Sequence, residues 1–115
     1  MRFDRDRLED ILEAIEAINK YSTAGKAAFE HDELIQTWMV HHIQVIGEAS
    51  SKLSEEFRTK HSDVPWANII AMRNILVHVY FRVDLDEVWL TVTRDLPSLE
   101  SKIREILDEE GELRE

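Results

Sequence analysis

The 115-residue chain has no cysteine, only three glycines and only two prolines, and each scarcity excludes something. Without cysteine, neither a disulfide framework nor a thiolate metal site is available, and a reducing cytoplasm is the expected compartment. With so little glycine and proline, long helices are expected and a hairpin-rich β fold is not. No apolar run approaches the roughly 20 residues that a membrane span requires, and residues 1–20 interleave charged with apolar side chains, so neither a membrane segment nor a secretion signal is expected. Basic residues are also outnumbered, with 14 Lys and Arg against 24 Asp and Glu and a net charge of -10. That balance opposes broad adhesion to nucleic acid or anionic lipid, so any RNA contact has to be local.

The length suits one domain. We place it at residues 1–110 and expect residues 111–115 to form a frayed, acidic tail, because DEEGELRE holds Gly111 and shows no apolar periodicity. Four principal helices are predicted. The first begins near Asp4 or Asp6 and carries Leu8, Ile11, Leu12, Ile15 and Ile18 as one stripe, ending near Tyr21. The second spans about His31 to Arg58, with Leu34, Ile35, Trp38, Met39, Ile43, Ile46, Ser50, Leu53 and Phe57 as inward candidates. Its Gly47 costs about 1 kcal/mol relative to alanine. With Ser50 and Ser51 it makes a smooth patch on which another helix can pack.

Ser62 or Asp63 is a candidate cap for the third helix, which runs from about Pro65 to Tyr80 or Phe81. Asp84 and Glu87 have capping-box spacing and open the fourth, in which Pro97 should cause a kink. The expected fold is all-α, an antiparallel bundle.

Within the third helix, RNILVHVY (73–80) mixes core-like residues with chemistry. Advancing about 100° per residue from Arg73 places Asn74 near 100°, His78 near 140° and Tyr80 near 340°, opposite an apolar face of Met72, Ile75, Leu76 and Val79. Asn74 and His78 are direct neighbours, whereas Arg73 and His78 lie about 140° apart and cannot converge on one straight helix. A two-fold dimer packed on this face would bring Arg73 of one chain to His78 of the other. Histidine can move a proton near neutrality and arginine can grip a phosphate bidentately, the needs of metal-independent RNA cleavage. Read alone, R-x4-H also fits a structural histidine bonded to Asn74 or a carbonyl, with Arg73 paired to a carboxylate.

Other chemistries find less support. The residues three before His31, His41, His42, His61 and His78 are Ala28, Trp38, Met39, Arg58 and Ile75, so the Glu-x-x-His of helical di-iron sites is missing. His41 and His42 diverge by about 100°, which is awkward for shared ligation. No P-loop, dinucleotide glycine motif or nucleophile elbow occurs. Trp38, Trp66 and Trp89 sit at apolar helical positions and are expected in the core. Arg2, Arg5 and Arg7, interleaved with acids, read as an ordinary charged face.

MRNILVHVY followed by F-x-V-D resembles the signature of the HEPN superfamily, specifically the HepT-like toxins. VIGEAS, VPWANIIAMRN and DLDEVWLTVTRDLPSLESKI extend the likeness over essentially the whole chain. The resemblance implies a homodimeric endoribonuclease toxin of a type VII toxin-antitoxin pair, with Arg73 and His78 in the cleaving site and Asn74 supporting them. It implies no metal and no cofactor. It further implies that an MNT-type nucleotidyltransferase antitoxin silences the toxin by transferring AMP onto Tyr80. An added phosphate there would put negative charge where substrate phosphate must bind. The alternative is a non-catalytic helical partner that binds and regulates a nucleotidyltransferase.

Overall fold

The computed structural model describes residues 2–78 and 84–114, and the side chains of residues 4–72 and 84–109. Among the described residues every regular element is helical: α1 (Arg2–Ser22), α2 (Lys26–His31), α3 (Glu33–Ser51), α4 (Glu55–Lys60), α5 (Trp66–His78), α6 (Leu85–Leu90), a π-helical turn (Thr91–Asp95) and α7 (Leu96–Arg114). The all-α expectation holds. Helix α3 is central, packing against α1 on one side and α5 on the other, and α7 returns alongside α1.

The periodic stripes become the core. Leu8, Ile11, Ile15 and Ile18 of α1 meet Met39, Ile43 and Ile46 of α3 and Leu96, Leu99, Ile103 and Ile106 of α7 in one buried cluster. Each such side chain contributes about 1.5–3 kcal/mol on leaving water, so the four-helix arrangement follows from where the aliphatic positions fall. The small-residue patch predicted around Gly47 is inside at two of its three positions. Gly47 and Ser50 are buried and Ser51 is half-buried.

The second predicted helix is interrupted. Instead of one element from His31 to Arg58, Asp32 caps α3 by accepting the Leu34 and Ile35 N–H groups, and α3 stops at Ser51. The chain turns through Lys52 to Ser54, and α4 begins under a second cap, in which the Ser54 hydroxyl accepts the Phe57 N–H at 3.1 Å. The cause is tertiary: the buried Asp4 carboxylate accepts both the Ser54 backbone N–H and its hydroxyl, fixing Ser54 in an extended conformation that a continuous helix does not allow. Leu34, expected inside, is 81% exposed, because it lies about 140° around α3 from the buried Met39, while its neighbour Ile35 packs on the core.

Two other boundaries differ in detail, and a third is as expected. A short α2 precedes α3, entered through Gly25 at φ 94° and ψ 169°, a conformation essentially restricted to glycine. Its last carbonyls, Phe29 and Glu30, accept the Gln36 side-chain amide. Helix α5 is not capped by Ser62 or Asp63. The Pro65 carbonyl accepts the Asn68 and Ile69 N–H groups, and Asp63 instead pairs with Lys102 at 2.8 Å. Asp84 does cap α6, accepting the Asp86 and Glu87 N–H groups.

Pro97 is accommodated by the π-helical turn immediately before it. A proline ring in a straight α-helix collides with the carbonyl four residues back, and the wider turn at Thr91–Asp95 moves that carbonyl aside. Pro97 itself falls in the first turn of α7, where its missing N–H costs least. At the other end α7 runs on through Gly111 to Arg114, where the composition suggested fraying. The flanking Glu, Leu and Arg are good helix formers and offset the glycine.

Candidate nuclease site on the last turns of the fifth helix

The candidate residues are delivered by α5, whose start is firmly anchored. The Trp66 indole N–H donates to the His61 carbonyl at 3.0 Å, the Trp66 backbone N–H donates to the Val64 carbonyl at 2.8 Å, and Val64, Trp66 and Ile69 are buried in the common core. From that anchor the helix continues to His78, so Arg73, Asn74 and His78 occupy its last turns. Helical geometry then keeps Arg73 and His78 about 140° apart. Tyr80 lies outside the described residues.

Among the described residues, two open grooves flank the bundle. The larger, about 830 Å³, runs between α1 and α3 over Ala14, Ala17, Trp38, His42 and Val45. Trp38 corrects an expectation. Trp66 is buried and Trp89 packs on the core beside Phe29, but Trp38 is 36% exposed. It sits on the α1–α3 edge, where its indole N–H donates to the Ala17 carbonyl at 2.7 Å. His42 stacks on it with ring centroids 4.4 Å apart, and the His42 Nδ1 lies 2.7 Å from the Trp38 carbonyl. One ring nitrogen of His42 is thus satisfied by the backbone of its own helix. His41 lines the same groove and meets the His42 ring edge-on, with centroids 4.9 Å apart and ring planes at 87°. Among the described residues no group of three or more His, Asp or Glu side chains is placed to hold a metal ion.

The second groove, about 520 Å³, lies between α5 and α7 and is lined by Asn68, Ile69 and Met72 on one wall and Arg94, Ser98 and Lys102 on the other. Met72 immediately precedes Arg73 in the chain, and Ile69 is one helical turn before it. Sequence reading did not single out Arg94 or Lys102. The only local signal is two cations eight positions apart, which charged helices show routinely. The amino-terminal arginines behave as expected of a charged face, Arg5 pairing with Glu9 at 3.3 Å and Arg7 with Asp10 at 3.8 Å.

Comparison with known proteins bears directly on the α5 residues. The family model described as "Ribonuclease HepT-like" matches residues 11–106, a span that contains all of α3 to α6 and the R-x4-H-x-Y segment. A Thermococcus cleftensis protein named "Probable ribonuclease HepT" is 37% identical over 108 residues, covering 91% of this chain and 96% of its own. A Caldanaerobacter subterraneus protein named "Putative RNase TTE0752" is 38% identical over 111 residues, covering 96% and 99%. No solved structure matches the chain. A family match across the core and the motif-bearing helix, with near full-length relatives, establishes that the chain belongs to the HepT-like ribonuclease family, whose chemistry is the cleavage of RNA.

Proposed function

We propose that the chain is the toxin of a type VII toxin-antitoxin pair, a metal-independent endoribonuclease whose site forms where Arg73 of one protomer meets His78 of its two-fold partner. The observation that carries this reading is the R-x4-H pair, Arg73 and His78, on the last turns of α5 in a chain of this family. Arg73 and His78 lie too far around one helix to act together in a monomer, and an isologous contact along the same face supplies the missing half twice.

In the proposed reaction His78 accepts the proton of a ribose 2′-hydroxyl as that oxygen attacks the adjacent phosphorus. Arg73 holds the two non-bridging oxygens and stabilises the charge that grows on them. The bond to the 5′ oxygen breaks, a proton returns to that leaving oxygen, and a 2′,3′-cyclic phosphate remains. Asn74, one turn before His78, orients the imidazole. No step needs a metal or a cofactor.

Control falls to Tyr80. An MNT-type nucleotidyltransferase antitoxin transfers AMP from ATP to its hydroxyl, with pyrophosphate leaving, and the new phosphodiester places negative charge beside Arg73. The test is mass spectrometry after co-expression with such a nucleotidyltransferase. One or more AMP masses should appear on the peptide holding Tyr80 and vanish in Tyr80→Phe. An unmodified peptide, or modification that persists in Tyr80→Phe, defeats this account of control. If the chain alone neither slows growth nor degrades RNA, the alternative of a non-catalytic partner takes its place.

A further inference from the structure

We infer that the groove between α5 and α7 binds the RNA strand next to the scissile linkage, with Arg94 and Lys102 as its phosphate contacts. The inference rests on the assignment of Arg73 to the cleaving site. Its own support is positional. Asn68, Ile69 and Met72 line one wall, and these are the residues of α5 that lead directly into Arg73. From Asn68 to Arg73 the helix rises about 7–8 Å, so a strand whose reacting phosphate lies at Arg73 reaches the groove within about one nucleotide.

The opposite wall has the right chemistry for a sugar-phosphate chain. Arg94 comes from the π-helical turn, and Ser98 and Lys102 come from the first turns of α7. Arg94 and Lys102 are substantially exposed, so their charged ends are within reach of solvent and of an anion. Between the walls the groove has an apolar floor, with Ile69 and Leu99 buried and Met72 half-buried beneath the opening. A base can rest there while its phosphate faces the cations, the arrangement by which grooves hold single strands. The volume of about 520 Å³ falls within the range of small-molecule sites, roughly 300–1,000 Å³, and suits one or two nucleotides.

Both cations are partnered in the free chain. Arg94 Nε lies 3.1 Å from Asp95 Oδ1, and Lys102 Nζ lies 2.8 Å from Asp63 Oδ2. Exposed ion pairs of this kind contribute little and exchange readily, so a phosphate can displace either carboxylate. The two aspartates then act as competitors of the substrate. In a chain of net charge -10 they restrain non-specific RNA binding until a strand enters with the geometry to replace both.

That competition gives the test opposite signs. A fluorescently labelled single-stranded RNA oligonucleotide, with deoxyribose at the cleavage position, is titrated with the full chain at several salt concentrations and followed by anisotropy. Arg94→Ala and Lys102→Ala should each weaken binding several-fold and lower the slope of log affinity against log salt by roughly 0.7. Asp63→Asn and Asp95→Asn should tighten it. Unchanged salt slopes in both alanine variants, or asparagine variants that fail to bind more tightly, overturn the proposal, as does the absence of measurable binding by the wild type. Cleavage of an all-ribose strand is read in parallel. Loss of cleavage on Arg73→Ala reports on the catalytic assignment alone, so failure there is distinct from failure of the groove.

Discussion

Asp4 and Ser54, fifty positions apart, are joined by two hydrogen bonds in which the Asp4 carboxylate accepts the Ser54 backbone N–H at 2.8 Å and its hydroxyl at 2.7 Å. The same hydroxyl accepts the Phe57 N–H, so one buried carboxylate fixes the start of α1, the end of α3 and the first turn of α4. A hydrogen bond to a charged group contributes about 1.5–3 kcal/mol, and removing the acceptor leaves the part-buried Ser54 donors without their partner. Asp4→Ala should therefore lower the unfolding free energy by about 2–3 kcal/mol, measured by urea denaturation. A change below about 0.5 kcal/mol, the range of ordinary surface substitutions, contradicts the tether.

Gly25 offers a test free of packing effects. Its backbone adopts φ 94° and ψ 169°, and a Cβ added there meets no atom within 4 Å. Gly25→Ala should cost about 1–3 kcal/mol from backbone strain alone, visible as a lower thermal midpoint with unchanged circular dichroism. Equal stability means that the link between α1 and α2 relaxes into another conformation.

The two-protomer site predicts complementation. Arg73→Ala and His78→Ala should each abolish cleavage while leaving the helical content intact. Co-folding the two inactive chains in equal amounts should restore about one quarter of wild-type activity, because half of the dimers are mixed and each has one of its two sites complete. Activity that stays at zero in the mixture places both groups in the same protomer's site.

Acid and base should each weaken the Asp63–Lys102 pair. The hydrogen bond and charge of Lys102 hold the Asp63 carboxyl below its usual value, and Asp63 in turn raises the ammonium of Lys102. A depressed carboxyl contributes stability above its unfolded pKa and loses it as pH falls through the folded one. A raised ammonium contributes below its unfolded pKa and loses it as pH rises through the folded one. The pair thus supports the α5–α7 junction across the neutral range and at neither extreme. Both groups are exposed, so the effect is small and salt-sensitive. Thermal midpoints of wild type and Asp63→Asn should differ most between about pH 5 and 9 and converge at pH 2. A gap that persists at pH 2 points to a cause other than the ion pair.

What could be read directly from the chain was whatever depends on neighbours within a helical turn or two. The aliphatic spacing of Leu8, Ile11, Ile15 and Ile18 determined which face of α1 is buried, the Asp84 cap determined where α6 begins, and the R-x4-H-x-Y spacing determined that Arg73 and His78 diverge on one helix. Tertiary structure alone decided the break at Ser54, because its partner Asp4 is fifty positions away. It likewise left Trp38 on an open edge, where the Ala17 carbonyl takes its indole N–H, and set Arg94 and Lys102 across from Met72 in one groove. Local periodicity records which side of a helix is apolar; it has no term for which distant polar group will meet it, and that is settled only when the helices pack.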